Sequence, residues 1–316
     1  MQLRYGILST SSIAPRFIAA VREAGAGEII AVSSRTLEKA QQKAAQWSIP
    51  TAYGSHDALL GDERVNIVYI SPVNSQHYPW AKAALLHGKH VICEKPCTTT
   101  AAQTAELYDL AAQKGLFFME AQKMLFLPAI RQVQSRIGAG ALGTIRKVEF
   151  IHSFSGSYND WQFEPSLGGG TLLSSGIYMT ELLVWLFGEM QSIAGTRITK
   201  PNGAECAFTL TGQMKNGVAF HCRSTTLETL DSTARIVGDK GYAEVPQYWK
   251  ARKAVFHFPG KEPETVEYPC EHELIYEAQH IAQSLQAGVL TSPVVTKDLS
   301  VQGIAALEQV KANWRD

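Results

Sequence analysis

Across residues 1–121 short apolar runs alternate with segments of helical period, and this alternation limits the fold more than any other feature of the chain. The apolar runs are Leu3–Leu8, Ile29–Val32, Val65–Ile70, His90–Cys93 and Leu116–Met119. They are continuous rather than alternating, the pattern of strands buried on both faces. Helical patterns separate them: Ile13–Val21, Leu37–Trp47 with Thr36 as N-cap, His77–His87 ending at Gly88, and Thr100–Lys114 ending at Gly115. Strand and helix in strict alternation predict a parallel sheet covered by helices, a Rossmann-type α/β domain over residues 1–121.

The texture changes afterwards. Pro128 opens a helix running to Ile137. Strands with period-two patterning follow at Lys147–Phe154, Ala207–Gln213, Val218–Thr225 and Thr233–Val237, and Asn216-Gly217 marks a hairpin turn. A helix through Tyr178–Phe187 interrupts them, and two more, Glu273–Gln286 and Leu299–Trp314, close the chain. Residues 122–316 therefore read as an α+β domain with a large open, mostly antiparallel sheet.

Charge is balanced, 29 basic against 29 acidic residues, which argues against a nucleic-acid surface or a polybasic membrane patch. No continuous apolar run approaches the ~20 residues of a membrane span, and the first residues form a strand rather than a leader. The expectation is a soluble, cytoplasmic protein. Five cysteines at 93, 97, 206, 222 and 270 form no disulfide framework. Cys93 and Cys97 have no matching second pair, so no metal site is expected.

A dinucleotide site requires a tight turn after the first strand, in the pattern G-x-G-x-x-G/A. Here the turn reads Ser9-Thr10-Ser11-Ser12-Ile13-Ala14. Serine is small and can donate to phosphate, and the helix N-terminus still directs its dipole at the turn. Serine lacks glycine's easy access to positive φ, so altered geometry or weaker affinity is expected. An ordinary Ser-capped helix start is the competing reading. The second strand ends in Val32-Ser33-Ser34-Arg35, with no acid for the ribose hydroxyls. Ser34 and Arg35, with Lys39 one helical turn on, suit a 2′-phosphate and favour NADP(H) over NAD(H). Ser71, Pro72 and Asn74 end the next strand, Asn74 facing the nicotinamide-ribose side, and His77 begins a helix beyond them, where the expectation is a cofactor contact and the plainer alternative a polar, exposed helix start.

Val91-Ile92-Cys93-Glu94-Lys95-Pro96 runs an apolar strand into an acid, a base and a proline. Pro96 cannot continue a ladder, so Lys95 sits at the carboxyl end of a strand, where open α/β sheets bind ligands. A surface Lys-Pro turn is the plainer alternative.

Taken in order, these pieces make nearly the whole chain resemble the Gfo/Idh/MocA oxidoreductase family, most of all its dimeric dihydrodiol dehydrogenase branch. The resemblance rests on Ser71-Pro72-Val73-Asn74 with His77, Ala84-Leu85, Gly88 to Pro96, Met119-Glu120-Ala121 with Phe126 and Pro128, then Trp161, Gly168-Gly169-Gly170 and Gly176-Ile177-Tyr178. It implies hydride transfer between a nicotinamide and a sugar, polyol, diol or related carbonyl, in a homodimer or higher oligomer. Carried over, Lys95 contacts the substrate oxygen, Tyr178 exchanges its proton, Glu94 and Lys95 border the cofactor, and Trp161 lies near the nicotinamide. Tyr158, Trp161 and Phe163 fit an aromatic wall for a sugar face, and core packing accounts for them equally well. Ser174 stands where the family carries an acid, Leu125 where the branch carries Arg, and Gln162 where many members carry Arg. A catalytically silent protein that keeps the fold to bind a nucleotide or sugar is the alternative these departures leave open.

Overall fold

In the computed structural model residues 2–154 and 160–314 are described. They form two compact units, residues 1–122 with 272–300 and residues 123–271 with 301–316.

The first unit is built on a parallel sheet of β1 (Arg4–Leu8), β2 (Glu28–Ser33), β3 (Thr51–Tyr53), β4 (Ile67–Ile70), β5 (His90–Glu94) and β6 (Phe118–Ala121). The strand order is β3-β2-β1-β4-β5-β6, every pair parallel. This is the doubly wound order, and its switch point falls between β1 and β4. Helices α1 (Ala14–Glu23), α2 (Leu37–Trp47), α3 (His56–Leu60), α4 (His77–Leu86) and α5 (Ala101–Lys114) connect the strands. The Thr36 and Thr100 side chains cap α2 and α5 by accepting from the amides of Lys39 and Gln103. The five apolar runs fall on strands, as the alternation predicts; β3 and α3 are too short to show a period.

Helix α6 (Pro128–Gly138) opens the second unit, followed by β7 (Ile145–Ser153) and α7 (Ile177–Phe187). Strands β8 (Met190–Thr199), β9 (Glu205–Met214), β10 (Ala219–Thr225), β11 (Thr233–Gly238), β12 (Tyr242–Pro246), β13 (Lys253–His257) and β14 (Glu264–Glu267) complete its sheet. The order is β14-β13-β12-β11-β7-β10-β9-β8, with β7 and β10 parallel and all other pairs antiparallel. One face buries Val148, Phe150, Phe220, Cys222, Ile236, Val245 and Phe256. The other carries half-exposed polar pairs such as Arg235 and His257 with Glu244. That division is what period-two strands produce. The Asn216-Gly217 turn is a hairpin, with Gly217 at φ +88°.

Helix α8 (Ile275–Gln286) departs from the sequence expectation. A single cut at residue 121/122 assigns it to the second domain, yet residues 272–300 pack with the first unit. Helix α8 lies against α1, Arg16 pairs with Glu273, and the Tyr108 hydroxyl meets Ser300 Oγ at 3.1 Å. Helix α9 (Lys297–Ala312) continues into the second unit. The stretch Pro165–Phe187 also departs from expectation, being long and apolar enough to cross a membrane by length and composition. In the fold 83% of its most apolar window is buried, so its apolar surface is taken up by the protein's own core.

Ala278 on α8 is fully buried. Ala278→Asp should destabilise the first unit by about 3 kcal/mol or more, the cost of an unpaired buried charge. Urea denaturation followed by circular dichroism measures this, and an unchanged midpoint would place α8 outside that unit's core.

Candidate active site

The turn after β1 solves its missing-glycine problem by strain. Ser9 adopts φ +97°, a region L side chains rarely enter. Its amide donates to the Ser33 carbonyl at 3.2 Å, which ties the turn to the end of β2. Ser11 Oγ meets Ser71 Oγ at 2.8 Å, joining the loops after β1 and β4 across the switch point. Helix α1 has no side-chain cap at its N-terminus. The amides of Ala14, Arg16 and Phe17 are taken up within this turn, while those of Ser11, Ser12 and Ile13 have no acceptor among the described residues. A backbone path of glycine type, small side chains and available amides fit a dinucleotide pyrophosphate. The Ser-capped reading of this helix start fails, because no serine caps it.

Beside this turn, Ser34 is buried and its amide donates to the Tyr53 carbonyl, while Arg35 and Lys39 are exposed at the start of α2. Ser33 Oγ meets Nδ1 of buried His56 at 2.8 Å. Burial pushes the His56 pKa down, the Asp57 charge opposes that shift and the Arg35 charge adds to it. His56 is therefore a neutral hydrogen-bonding partner, and the cations at this edge are Arg35 and Lys39.

Lys95 is half-buried at the carboxyl end of β5, and the Lys95–Pro96 peptide is cis. Glu94 accepts from the Tyr69 hydroxyl at 2.5 Å and from the Lys95 amide at 3.3 Å. Tyr69 stacks on Phe17 with ring centroids 3.7 Å apart. Burial and the adjacent Glu94 charge push the Tyr69 phenol well up, so it stays a neutral donor. The Glu94 carboxylate thus fixes the turn that presents Lys95.

His77 differs from its expected place at the cofactor. It is 1% exposed, with Nδ1 2.8 Å from the Pro96 carbonyl and Nε2 3.1 Å from the Pro72 carbonyl. Burial pushes its pKa down, opposed by these carbonyls and by Glu94. A neutral ring donates to one of the two. His77 is therefore enclosed between the two strand-end turns, hydrogen-bonded to one of them and with both ring nitrogens turned into the protein. Asn74 is buried beside it in the same connection. Cys93 and Cys97 are buried, Cys93 Sγ lies 3.5 Å from the Cys97 carbonyl, and no metal-holding cluster occurs among the described residues.

In the second unit Tyr178 begins α7 and is 7% exposed. A π-helical turn, Leu172–Gly176, precedes it, and Ser175 Oγ locks this turn to Ser224 of β10 at 2.7 Å. Ser174 lies in the same turn, its Oγ donating to the Thr171 carbonyl at 3.3 Å. Trp161 and Phe163 are half-buried in the turn Asp160–Phe163, where the Lys200 ammonium sits 3.6 Å from the Phe163 ring centroid. Tyr158, the third residue of the expected aromatic wall, lies outside the described residues. Gly169 is obligatory here: a Cβ would stand 2.6 Å from the Trp161 carbonyl and 2.7 Å from the Glu164 nitrogen. Leu125 is fully buried, an apolar packing position.

Three polar residues near Tyr178 escape sequence reasoning. Lys123 is 7% exposed, with its ammonium 5.9 Å from the Tyr178 ring centroid. Tyr248 is fully buried, and its hydroxyl lies 3.4 Å from Nδ1 of buried His152. Position on β7 could have shown His152, which continues the buried set Val148 and Phe150 in steps of two. Lys123 and Tyr248 carry no such signal, because both lie in short 3₁₀ turns.

A doubly wound sheet with an amide-lined turn at its switch point and a lysine at a strand end has the features of a nicotinamide-dependent oxidoreductase. The sequence pattern of the oxidoreductase family with NAD-binding Rossmann fold matches residues 3–122, and that of the GFO/IDH/MocA C-terminal domain matches residues 130–244. Trans-1,2-dihydrobenzene-1,2-diol dehydrogenase of Mus musculus is 31% identical over 308 residues, spanning 93% of this chain and 92% of the relative. The chain belongs to the Gfo/Idh/MocA oxidoreductase family. Its fold superimposes on a 3-ketoreductase from Actinomadura kijaniata in complex with NADP and TDP-benzene, at TM-score 0.91 and 22% identity over 100% of this chain and 99% of the other. Levoglucosan dehydrogenase in complex with NADH and levoglucosan matches at TM-score 0.88 and 18% identity, over 99% and 97%.

Ser9→Gly should stabilise the protein by about 1 kcal/mol, because relief of the positive φ outweighs glycine's extra chain entropy. Chemical denaturation of the two proteins decides; a loss of stability would mean that the serine side chain contributes more than its backbone costs.

Proposed function

We propose that this protein interconverts a sugar hydroxyl or a vicinal diol and the matching carbonyl, with NADP(H) preferred over NAD(H). The observation that carries the reading is Lys95, held at the carboxyl end of β5 by the Glu94–Tyr69 bond, in the same sheet whose β1 turn offers amides to a dinucleotide. The diol dehydrogenase relatives support the substrate class. The solved neighbours with a keto-reductase title and with levoglucosan support the sugar side.

A bound nicotinamide supplies or accepts the hydride at the substrate carbon. In the reductive direction the carbonyl oxygen gains negative charge as its π bond breaks. The Lys95 ammonium stabilises that charge, and the Tyr178 hydroxyl gives the oxygen its proton, leaving a phenolate that water reprotonates. Oxidation runs the same steps backwards, with Tyr178 as base. Ser11, Ser12 and Ile13 bind the pyrophosphate through their amides, with Ser9 and Thr10 shaping the turn. Ser34, Arg35 and Lys39 receive the 2′-phosphate, and Ser71, Pro72 and Asn74 border the nicotinamide ribose. Trp161 contributes an apolar face to the substrate.

Preference for NADP(H) rests on the end of β2, where Ser34 and exposed Arg35 stand in place of an acid. Ser174 keeps the silent-binder reading alive, since it removes the family's acid from the turn before Tyr178.

Lys95→Met should abolish turnover of aldoses, ketoses and diols while NADPH binding, followed by fluorescence, changes little. Undiminished turnover would remove Lys95 from the chemistry, and NADPH binding without turnover by the unaltered protein would favour the silent binder. Arg35→Ala should weaken NADPH binding about tenfold or more, the size of one charge-assisted phosphate bond, with NADH binding unchanged. Equal effects on both cofactors would end the argument for NADP(H).

A further inference from the structure

We propose that Lys200 and Asn202, at the tip of the β8–β9 hairpin, are positioning residues for the substrate: they clamp the turn Asp160–Phe163 and so hold Trp161 in one orientation. The proposal rests on the reading of Trp161 as a substrate face given above.

The turn has little of its own to hold it. It is a 3₁₀ segment of four residues, none of them buried, so its direction is not set by packing into the core. Its closing bond runs from the Glu164 amide to the Trp161 carbonyl at 3.0 Å, and hydrogen bonds of 3₁₀ type have poorer geometry than those of an α-helix. The orientation of Trp161 therefore depends on contacts made from outside the turn.

One hairpin supplies two of them. Asn202 Nδ2 donates to the Phe163 carbonyl at 2.6 Å, and the Lys200 ammonium lies 3.6 Å from the Phe163 ring centroid. The first contact fixes the backbone of Phe163 and the second its side chain. The first needs an N–H donor and the second a positive charge. A third tie runs through Gly170, whose amide donates to the Gln162 carbonyl at 2.7 Å. Gly170, at φ +117°, lies against Glu205, the first residue of β9. All three ties thus trace to residues 200–205.

The hairpin tip is preformed. Lys200-Pro201-Asn202-Gly203 is a turn closed by the Gly203 amide on the Lys200 carbonyl at 2.8 Å, with proline presetting φ at its second position and Gly203 at φ +85°. The Lys200 amide donates to the Ala204 carbonyl at 2.9 Å, and Asn202 Oδ1 accepts from the Ala204 amide at 3.2 Å. The Asn202 side chain is therefore divided: its oxygen shapes the hairpin and its nitrogen holds Phe163. An aspartate could do the first and not the second.

That division gives the test. Asn202→Asp keeps the acceptor for Ala204 and removes the donor for Phe163. Lys200→Met keeps the apolar stem and removes the charge. Both residues are exposed, so neither change opens the core. Trp161 emission is read without substrate, as the difference between each protein and the same protein carrying Trp161→Phe. Acrylamide should quench it more readily in Asn202→Asp and Lys200→Met than in the unaltered protein, and Lys200→Arg should restore the original quenching. For the best-used member of a panel of aldoses, ketoses and diols, KM should rise about three- to tenfold in the first two variants, the size of one such contact, while kcat and NADPH binding change little. Unchanged quenching in both variants overturns the proposal. So does greater quenching with an unchanged KM, where Trp161→Phe itself raises KM. If Trp161→Phe leaves KM unchanged, the reading of Trp161 as a substrate face fails and takes the substrate role of the clamp with it, whatever the quenching shows.

Discussion

Parallel pairing is the constraint from which the site follows. Because β1 pairs with β2 and β4 in the same direction, and β4 with β5, the residues after each strand emerge at one edge of the sheet. Ser9, Ser34, Ser71 and Lys95 are spread along 87 positions of sequence numbering only because each ends a different strand, and roughly 4.8 Å separates neighbouring strands in the sheet. The edge is then stiffened by side chains. Ser11 and Ser71 join two loops through their hydroxyls, Glu94 and Tyr69 join two strand ends, and the His77 ring donates to one of the two proline turns between which it is buried. Each contact buries polar atoms with partners, the condition under which polar groups rigidify a structure rather than weaken it.

Ser9 and Glu94 show how strain and pairing are distributed. Ser9 holds a backbone conformation that costs of order 1–3 kcal/mol for a residue with a side chain. The fold sustains it because the flanking strand is buried from Tyr5 to Leu8 and the Ser9 amide is bonded to Ser33. Glu94 is a carboxylate beside a phenol that burial keeps neutral, so one group can only accept and the other only donate. That asymmetry fixes the direction of the bond and with it the path of the backbone into Lys95.

Much of this was legible in the sequence for a plain reason: long elements declare a period and strand ends declare a stop. The five apolar runs became strands, Pro96 closed β5, and Thr36 and Thr100 capped the helices they precede. Ser9 was legible as a problem, and its solution, a positive φ, was not, since it depends on the tertiary frame around one residue. His77 looked like a ligand because it begins a helix near the site, but two carbonyls that claim its ring come from turns 5 and 19 residues away in sequence. Lys123, Tyr248 and His152 meet through three separate elements, and no local pattern records such a meeting. Residues 272–300 went to the wrong domain because helical period identifies a helix without naming its neighbour.

The placement of residues 272–300 has a consequence for synthesis. The nucleotide-binding unit is not a contiguous stretch of chain: α8 and the residues around it, packed on α1, leave the ribosome only after residues 123–271 of the second unit have been made. Until then the α1 surface that α8 covers stays open to water, although all six strands of the sheet have already been made. The first unit begins first and is completed only by residues 272–300, so it cannot finish folding midway through translation.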